Sequence, residues 1–246
     1  YTVQAGVARL YGDEVHILAG GFELVGNFVA ERNGGELMLG GSNVRVSVGT
    51  DTVKAKLTNG GFAFLLASDG TYALAASGNA ALEGITGVAL SGSVSFERNT
   101  STTTDVSRSL TVGGTNHGLI VAKNTTRLRG RNISLDVLGQ HVGGDFTFAA
   151  NGSNVDATIA NLALSLGGGL VTVTGGGTIA LAPGVVDATL DLTGSVNVPG
   201  VVAATVPLTL TVKKGTSNDG VSVAIDTSAV GASLTIAGQK IDGIFT

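Results

Sequence analysis

Residues 157–186 read ATIANLALSLGGGLVTVTGGGTIALAPGVV, a stretch without a single charge between Asp156 and Asp187. A run of that length raises the question of a membrane helix. Against it stand Gly167–Gly169, Gly175–Gly177 and Pro183-Gly184, each of which breaks a helix. Inside the run the apolar residues alternate with small and hydroxylated ones. Leu162, Leu164 and Leu166 are separated by Ala163 and Ser165, and Val171 and Val173 by Thr172. A repeat of two residues belongs to a strand, whose side chains point to opposite faces in turn. The phase slips once, at Ala160-Asn161, where Ile159 and Leu162 stand three apart, and a bulge or corner is predicted there.

The same alternation runs through Val44–Val48, Ile133–Val137, Val206–Val212 and Val221–Ile225. Dipeptides tolerant of positive φ punctuate it: Asn33-Gly34, Asn59-Gly60, Asp69-Gly70, Asn151-Gly152 and Asp219-Gly220 are expected hairpin turns. Pro183-Gly184 and Pro199-Gly200 suit the centres of type II turns. Tight turns join antiparallel neighbours, so the expected fold is all-β with mostly antiparallel strands. One face of each strand is Val, Leu, Ile and Phe, and the other is Thr, Ser, Ala, Asn and Gly. That division predicts an extended rolled or two-layer β array around one apolar interior.

The chain also matches itself. Residues 18–49 align without a gap on 136–167 at an offset of 118, bringing together Gly26 and Gly144, Phe28 and Phe146, and Asn43 and Asn161. Residues 76–101 align on 192–217 at an offset of 116, and the motif from Leu135 to Phe146 returns from Leu234 to Phe245, 99 residues on. Self-similarity at a fixed period marks a tandem array, here of units of about 100–118 residues. The expected organisation is a tail of a preceding repeat at 1–17, a first unit at 18–135, a second at 136–233 and the start of a third at 234–246. A polar insertion near 102–118 (TTTDVSRSLTVGGTNHG) distinguishes the first unit and reads as a surface loop or an extra hairpin. Both ends fall at one phase of the repeat, so the chain is expected to be a window of a longer polypeptide that self-associates or pairs with neighbouring repeats.

Composition narrows the function classes. Hydrophobic residues form 43% and charged residues 13%, which is the opposite of a disordered chain. A net charge of −4 without a large basic cluster leaves no footprint for nucleic acid. Three Tyr and no Trp cannot supply the aromatic girdles of a transmembrane barrel, so membrane spanning is not expected. The chain has no Cys, and its three histidines, His16, His117 and His141, sit in unrelated contexts without metal spacing. No catalytic residue is assigned and no enzyme is expected. The Gly-rich runs precede strands, not helices, so they are not phosphate loops. Among metals only calcium merits a candidate set, Asp13 and Glu14 with the Asn218-Asp219 pair, and each of these also reads as ordinary turn chemistry.

The Gly139-Gln140-x-Val142-x-Gly144-x-Phe146 motif, the Ser68–Leu74 segment and the roughly hundred-residue period together resemble tandem repeats of giant secreted bacterial surface proteins, the adhesin-like class. The resemblance implies an extracellular, cell-surface, non-enzymatic structural or adhesive array whose partners are copies of itself, neighbouring repeats or cell-surface glycans. It carries over no binding residue. Two other readings stand beside it. Long alternating strands also suit a β-groove that conducts lipid, and outward Thr residues suit an ice- or carbohydrate-binding β array.

Overall fold

The computed structural model describes residues 7–19, 22–49, 54–83, 86, 88–137, 140–151, 154–199, 202–215, 219–225, 232–236 and 239–243. Among them there is no helix, and the all-β expectation holds. The chain forms two compact units, residues 1–86 with 90–130, and residues 87–89 with 131–246.

The first unit holds β1 (Val7–Ala19), β2 (Phe22–Asn33), β3 (Glu36–Gly49), β4 (Lys54–Leu66), β5 (Tyr72–Glu83) and most of β6 (Val88–Asn99). It also holds the hairpin β7 (Val106–Val112) and β8 (Thr115–Val121), and the first part of β9 (Thr125–Val137). Strands β1 to β6 form an antiparallel meander in chain order. Side chains directly opposite on neighbouring strands share a face. One face therefore carries Leu24, Phe28, Leu39, Phe62, Phe64, Leu74, Ala76 and Phe96, and the other carries Val29, Gly40, Ala63, Leu65, Ala73 and Ala75.

The hairpin packs on the second of these faces. Leu119 and Val112 are fully buried, and Leu110 and Val121 nearly so, against Val29, Ala63, Leu65, Ala73 and Met38. The polar insertion is thus a hairpin, as one of the two expectations had it, but its inward row is the best-buried part of the unit. Each fully buried aliphatic side chain contributes about 1.5–3 kcal/mol. Polar bonds hold both ends of it. At the base, Asn99 donates to Thr104 O (3.0 Å) and Val121 O (3.1 Å), and Asp105 accepts from Lys123 N at 2.8 Å. At the tip, Ser42 Oγ donates to Val112 O at 3.1 Å and Arg9 to Thr111 O at 2.6 Å. Gly113 and Gly114, with φ of 55° and 80°, make the two-residue turn between. Gly40 is the seat: a Cβ there would stand 2.7 Å from Leu110 Cδ2 and 2.9 Å from Val112 Cγ2.

The second unit holds the rest of β9, then β10 (Gln140–Asn151), β11 (Asn154–Leu166), β12 (Val171–Ala182), β13 (Val185–Val198) and β14 (Val202–Lys214). Strands β10 to β14 pair antiparallel in order. Two short strands, β15 (Gly220–Ile225) and β16 (Ala232–Ile236), both pair with β14, and β17 (Gln239–Gly243) pairs with β16. Gly184 has φ 75°, as a type II turn at Pro183-Gly184 requires. Gly152 and Gly200, the second residues of two expected turns, lie outside the described residues.

The predicted phase slip at Asn161 is a bulge: the β11–β12 register shifts between Ile159 and Leu162, and Asn161 takes φ 52°. It has company. The β3–β4 register shifts between Gly41 and Val44 around Asn43, φ 52°, each position 118 residues earlier. Glu14 (φ 47°) and Asn132 (φ 49°) keep the same offset, and so do the acceptors of their backbone N–H groups, Asn27 Oδ1 at 3.0 Å and Asp145 Oδ1 at 2.7 Å. Both ends of β9 lie 118 residues after those of β1, and both ends of β10 after those of β2.

Two turn expectations are corrected. Asp219-Gly220 is not the centre of a hairpin, because Gly220 opens β15 and pairs with Lys213. Asn59-Gly60 is no hairpin but lies inside β4, where the β4–β5 register shifts between Thr58 and Gly61 and Asn59 adopts φ 50°. An Asn-Gly pair supplies positive φ to a bulge as readily as to a turn, and the strand continues because Gly60 packs under Val44: a Cβ there would lie 2.7 Å from Val44 O.

Candidate functional site

Three surfaces have the composition of a working site. The first is a cleft of about 300 Å³ on the apolar face of the first unit, lined by Leu24, Val46, Leu57, Leu74, Val94, Phe96 and their neighbours. Glycines shape it. Gly78 sits beneath Leu57, whose Cδ1 is 2.8 Å from where a Cβ would stand, and a Cβ on Gly41 would collide with the Phe62 ring. A second apolar cleft of about 430 Å³ lies between Leu10, Phe28 and Leu39 and shares Leu24 and Phe62 with the first. Phe28 and Phe62 are tilted ring to ring at 6.2 Å. At the β5–β6 end of this face, Arg98 is directly opposite Leu74. Its guanidinium donates to Tyr72 Oη at 3.0 Å and to Thr126 Oγ1.

The second surface is a polar cleft of about 260 Å³ on the opposite face, between Ser77, Ser95, Glu97, Asn116 and His117. His117 Nε2 is buried without a hydrogen-bond partner, and burial pulls the imidazole below its ordinary pKa. Glu97 is engaged by Arg127 at 3.5 Å and Arg129 at 3.0 Å. A lone imidazole without an orienting acceptor completes no nucleophile–base pair.

The third surface belongs to the second unit. Pairing aligns Thr147, Thr158, Thr178, Thr189, Thr211 and Ser222 directly across six strands, β10 to β15. Strands lie about 4.8 Å apart in that direction, so the hydroxyls form a rank at that spacing. Neighbouring ranks contain Thr209, which donates to Asp191 at 2.9 Å, Thr205, which donates to Ser195 at 3.3 Å, and the Lys213–Asp187 ion pair at 3.5 Å.

The calcium candidates fall each in its own unit. Asp13 accepts from Tyr11 Oη at 3.3 Å, and Glu14, on the β1 bulge, pairs with Arg45 at 2.8 Å. Asp219 stands just before β15 in the other unit, and its neighbour Asn218 lies outside the described residues. Among the described residues no three His, Cys, Asp or Glu side chains are grouped to hold a metal. His141 pairs with Asp136 at 3.0 Å in a half-exposed position. Among the described residues no helix is long and apolar enough to cross a membrane. Outward Thr residues are visible in the sequence but their alignment into one rank is not, and neither is the apolar cleft near Arg98, since each is assembled across strands. The one local signal for the cleft was the Gly60-Gly61 and Gly78 positions, which leave room for large neighbours.

No protein-family model matches the chain, and no curated protein or solved structure matches it either.

Proposed function

We propose that this chain is a non-catalytic structural or adhesive β module, one stretch of a long extracellular array that assembles with neighbouring repeats or with copies of itself. The observation that supports the reading most is the offset of 118 shared by strand ends, bulges and the side chains that cap them. Bulges set the twist and register of a sheet, so repeating them is a way of repeating a surface. The 99-residue offset adds to this: β16 ends at Ile236 and β17 begins at Gln239, as β9 ends at Val137 and β10 begins at Gln140. Strands with unpaired edges seek another strand, and extension by like units satisfies them. Electron microscopy and sedimentation of the 246-residue chain test the reading. Filaments or ladders of regular oligomers are expected. A clean monomer at high concentration would sink the assembly claim.

The hydroxyl rank favours a second reading, an ice- or carbohydrate-binding face on the second unit. Aligned Thr side chains offer donors and acceptors at a fixed repeat, although Asp191 and the Lys213–Asp187 pair interrupt the neighbouring ranks with charge. Ice recrystallisation and glycan-array measurements on the wild type and on Thr178→Lys separate it from the first. Loss of either activity in the variant supports a recognition face, and no activity in the wild type leaves the rank as solvated sheet.

A further inference from the structure

We propose that the first unit binds a long-chain fatty acid, its acyl tail in the apolar cleft between Leu24 and Phe96 and its carboxylate on Arg98. The site goes beyond the structural role proposed above and does not depend on it.

The tail's track is explicit in the register. Phe96 and Val94 on β6, Leu74 on β5, Leu57 on β4, Val46 on β3 and Leu24 on β2 share one face and line one cleft. Crossing from β6 to β2 spans four strand spacings, about 19 Å, a length that suits an extended acyl chain. A volume of about 300 Å³, continued by a second cleft through Leu24 and Phe62, falls in the range of small-molecule sites. Ser77 and Ser95 also border the cleft, but they alternate with Ala76 and Phe96 and belong to the opposite face, so what the lining selects is hydrocarbon.

The head group is chosen by charge. Arg98 does not line the cleft itself, but it follows Val94 and Phe96 on the same face of β6 and lies directly opposite Leu74, which does. Its partners, Tyr72 Oη and Thr126 Oγ1, are both neutral, and it makes no ion pair with a carboxylate among the described residues. By contrast Arg9, Arg45, Arg108, Arg127 and Arg129 are each paired with a glutamate. A guanidinium has five N–H groups, and the two bonds to neutral oxygens leave donors for a bidentate carboxylate. Tyr72 also lies under the guanidinium, 5.9 Å from ring centroid to Cζ, which holds the cation in place.

The test compares palmitate with hexadecanol, each below its aggregation limit, on the full chain. Binding is followed by displacement of a fluorescent fatty acid. Saturable palmitate binding is expected. Arg98→Gln should weaken palmitate about tenfold or more and leave hexadecanol unchanged, because only the charged head loses its partner. The unchanged hexadecanol binding shows that the Gln variant is folded, and Arg98→Lys, which keeps the charge without the bidentate fork, should recover part of the loss. Ala76→Leu, which introduces the residue that occupies the matching register position in the second unit, Leu190, should weaken both ligands alike. Failure of either ligand to bind, or equal binding unchanged by Arg98→Gln, overturns the proposal. Self-association that Ala76→Leu abolishes and palmitate does not compete with would assign this face to a second copy, and that also overturns it.

Discussion

Faces matched by the offset of 118 are built in two ways in the two units, and the difference tracks the presence of a hairpin. In the first unit β7–β8 covers it, and the positions beneath are Val29, Gly40, Ala63 and Ala75. In the second unit the positions reached by the same register steps are Thr147, Thr158, Thr178 and Thr189, three of them exposed. Apolar or absent side chains suit a dry contact, and hydroxyls suit water. Meanwhile the other face is apolar in both units, with Leu24, Phe28 and Phe96 in one and Val142, Phe146 and Leu210 in the other. In the second unit some of it stays open: Phe148 and Val196 are each 41% exposed. An inserted hairpin therefore changed the chemistry of the face it touches and left the opposite face alone.

The largest expected effect falls on the hairpin's buried row. Leu119→Ala should cost about 2–5 kcal/mol in urea unfolding, because it opens a cavity under a fully buried side chain. Thr178→Ala on the matching face of the second unit should stay within about 0.5 kcal/mol. Equal costs would break the comparison. Next comes Gly40→Thr, which copies Thr158 into the first unit. Its Cβ collides with Leu110 and Val112, so a loss of about 1–3 kcal/mol is expected from overpacking. Limited proteolysis should then cut the hairpin's connections at 100–105 and 122–124 sooner, and unchanged cleavage would show that the hairpin has another seat.

Asn43→Ala and Asn161→Ala sharpen the likeness. Both residues hold positive φ at a bulge, and an alanine there costs about 1–2 kcal/mol. Paired values within a few tenths would speak for one bulge design used twice, while a large inequality would count against the repeat. The smallest effect is on pH. His117 titrates below its ordinary value because of burial, so the unfolded chain takes up its proton first as pH falls. Stability should be level above about pH 6.5 and decline below it until the folded-state value is reached. His117→Gln should flatten that segment of the profile, and a profile unaltered by the substitution would remove His117 from the account.

Several features were legible without a structure because they are local. Alternation decides strand against helix within a few residues, and the slip between Ile159 and Leu162 announced its bulge because a bulge is one residue out of phase. The positive φ at Gly34 and Gly70 follows from dipeptides that tolerate it. Asn59-Gly60 was misread for the same reason, since the dipeptide carries the φ requirement and not the choice between turn and bulge. The candidate site was less legible. Arg98 is one of several charges in strands of alternating residues, and nothing in its own sequence context marks the face it joins.

What the sequence by itself determined is the strand class, the turns at Asn33-Gly34, Asp69-Gly70 and Pro183-Gly184, the bulge at Asn161 and the internal offset of 118, all of which depend on neighbours a few residues apart or on direct comparison of letters. Only the tertiary structure decided which face the 102–118 insertion would cover, that the row of Leu110, Val112, Leu119 and Val121 would become core, and that Arg98 would stand opposite Leu74 on the face that carries an apolar cleft. Those outcomes rest on contacts such as Ser42 to Val112, seventy residues apart. A polar-looking segment with apolar residues at every second position can lie on water or on a sheet. The glycine at position 40 and the alanines at 63, 73 and 75 admit it to the sheet, because close approach needs small side chains on the receiving face.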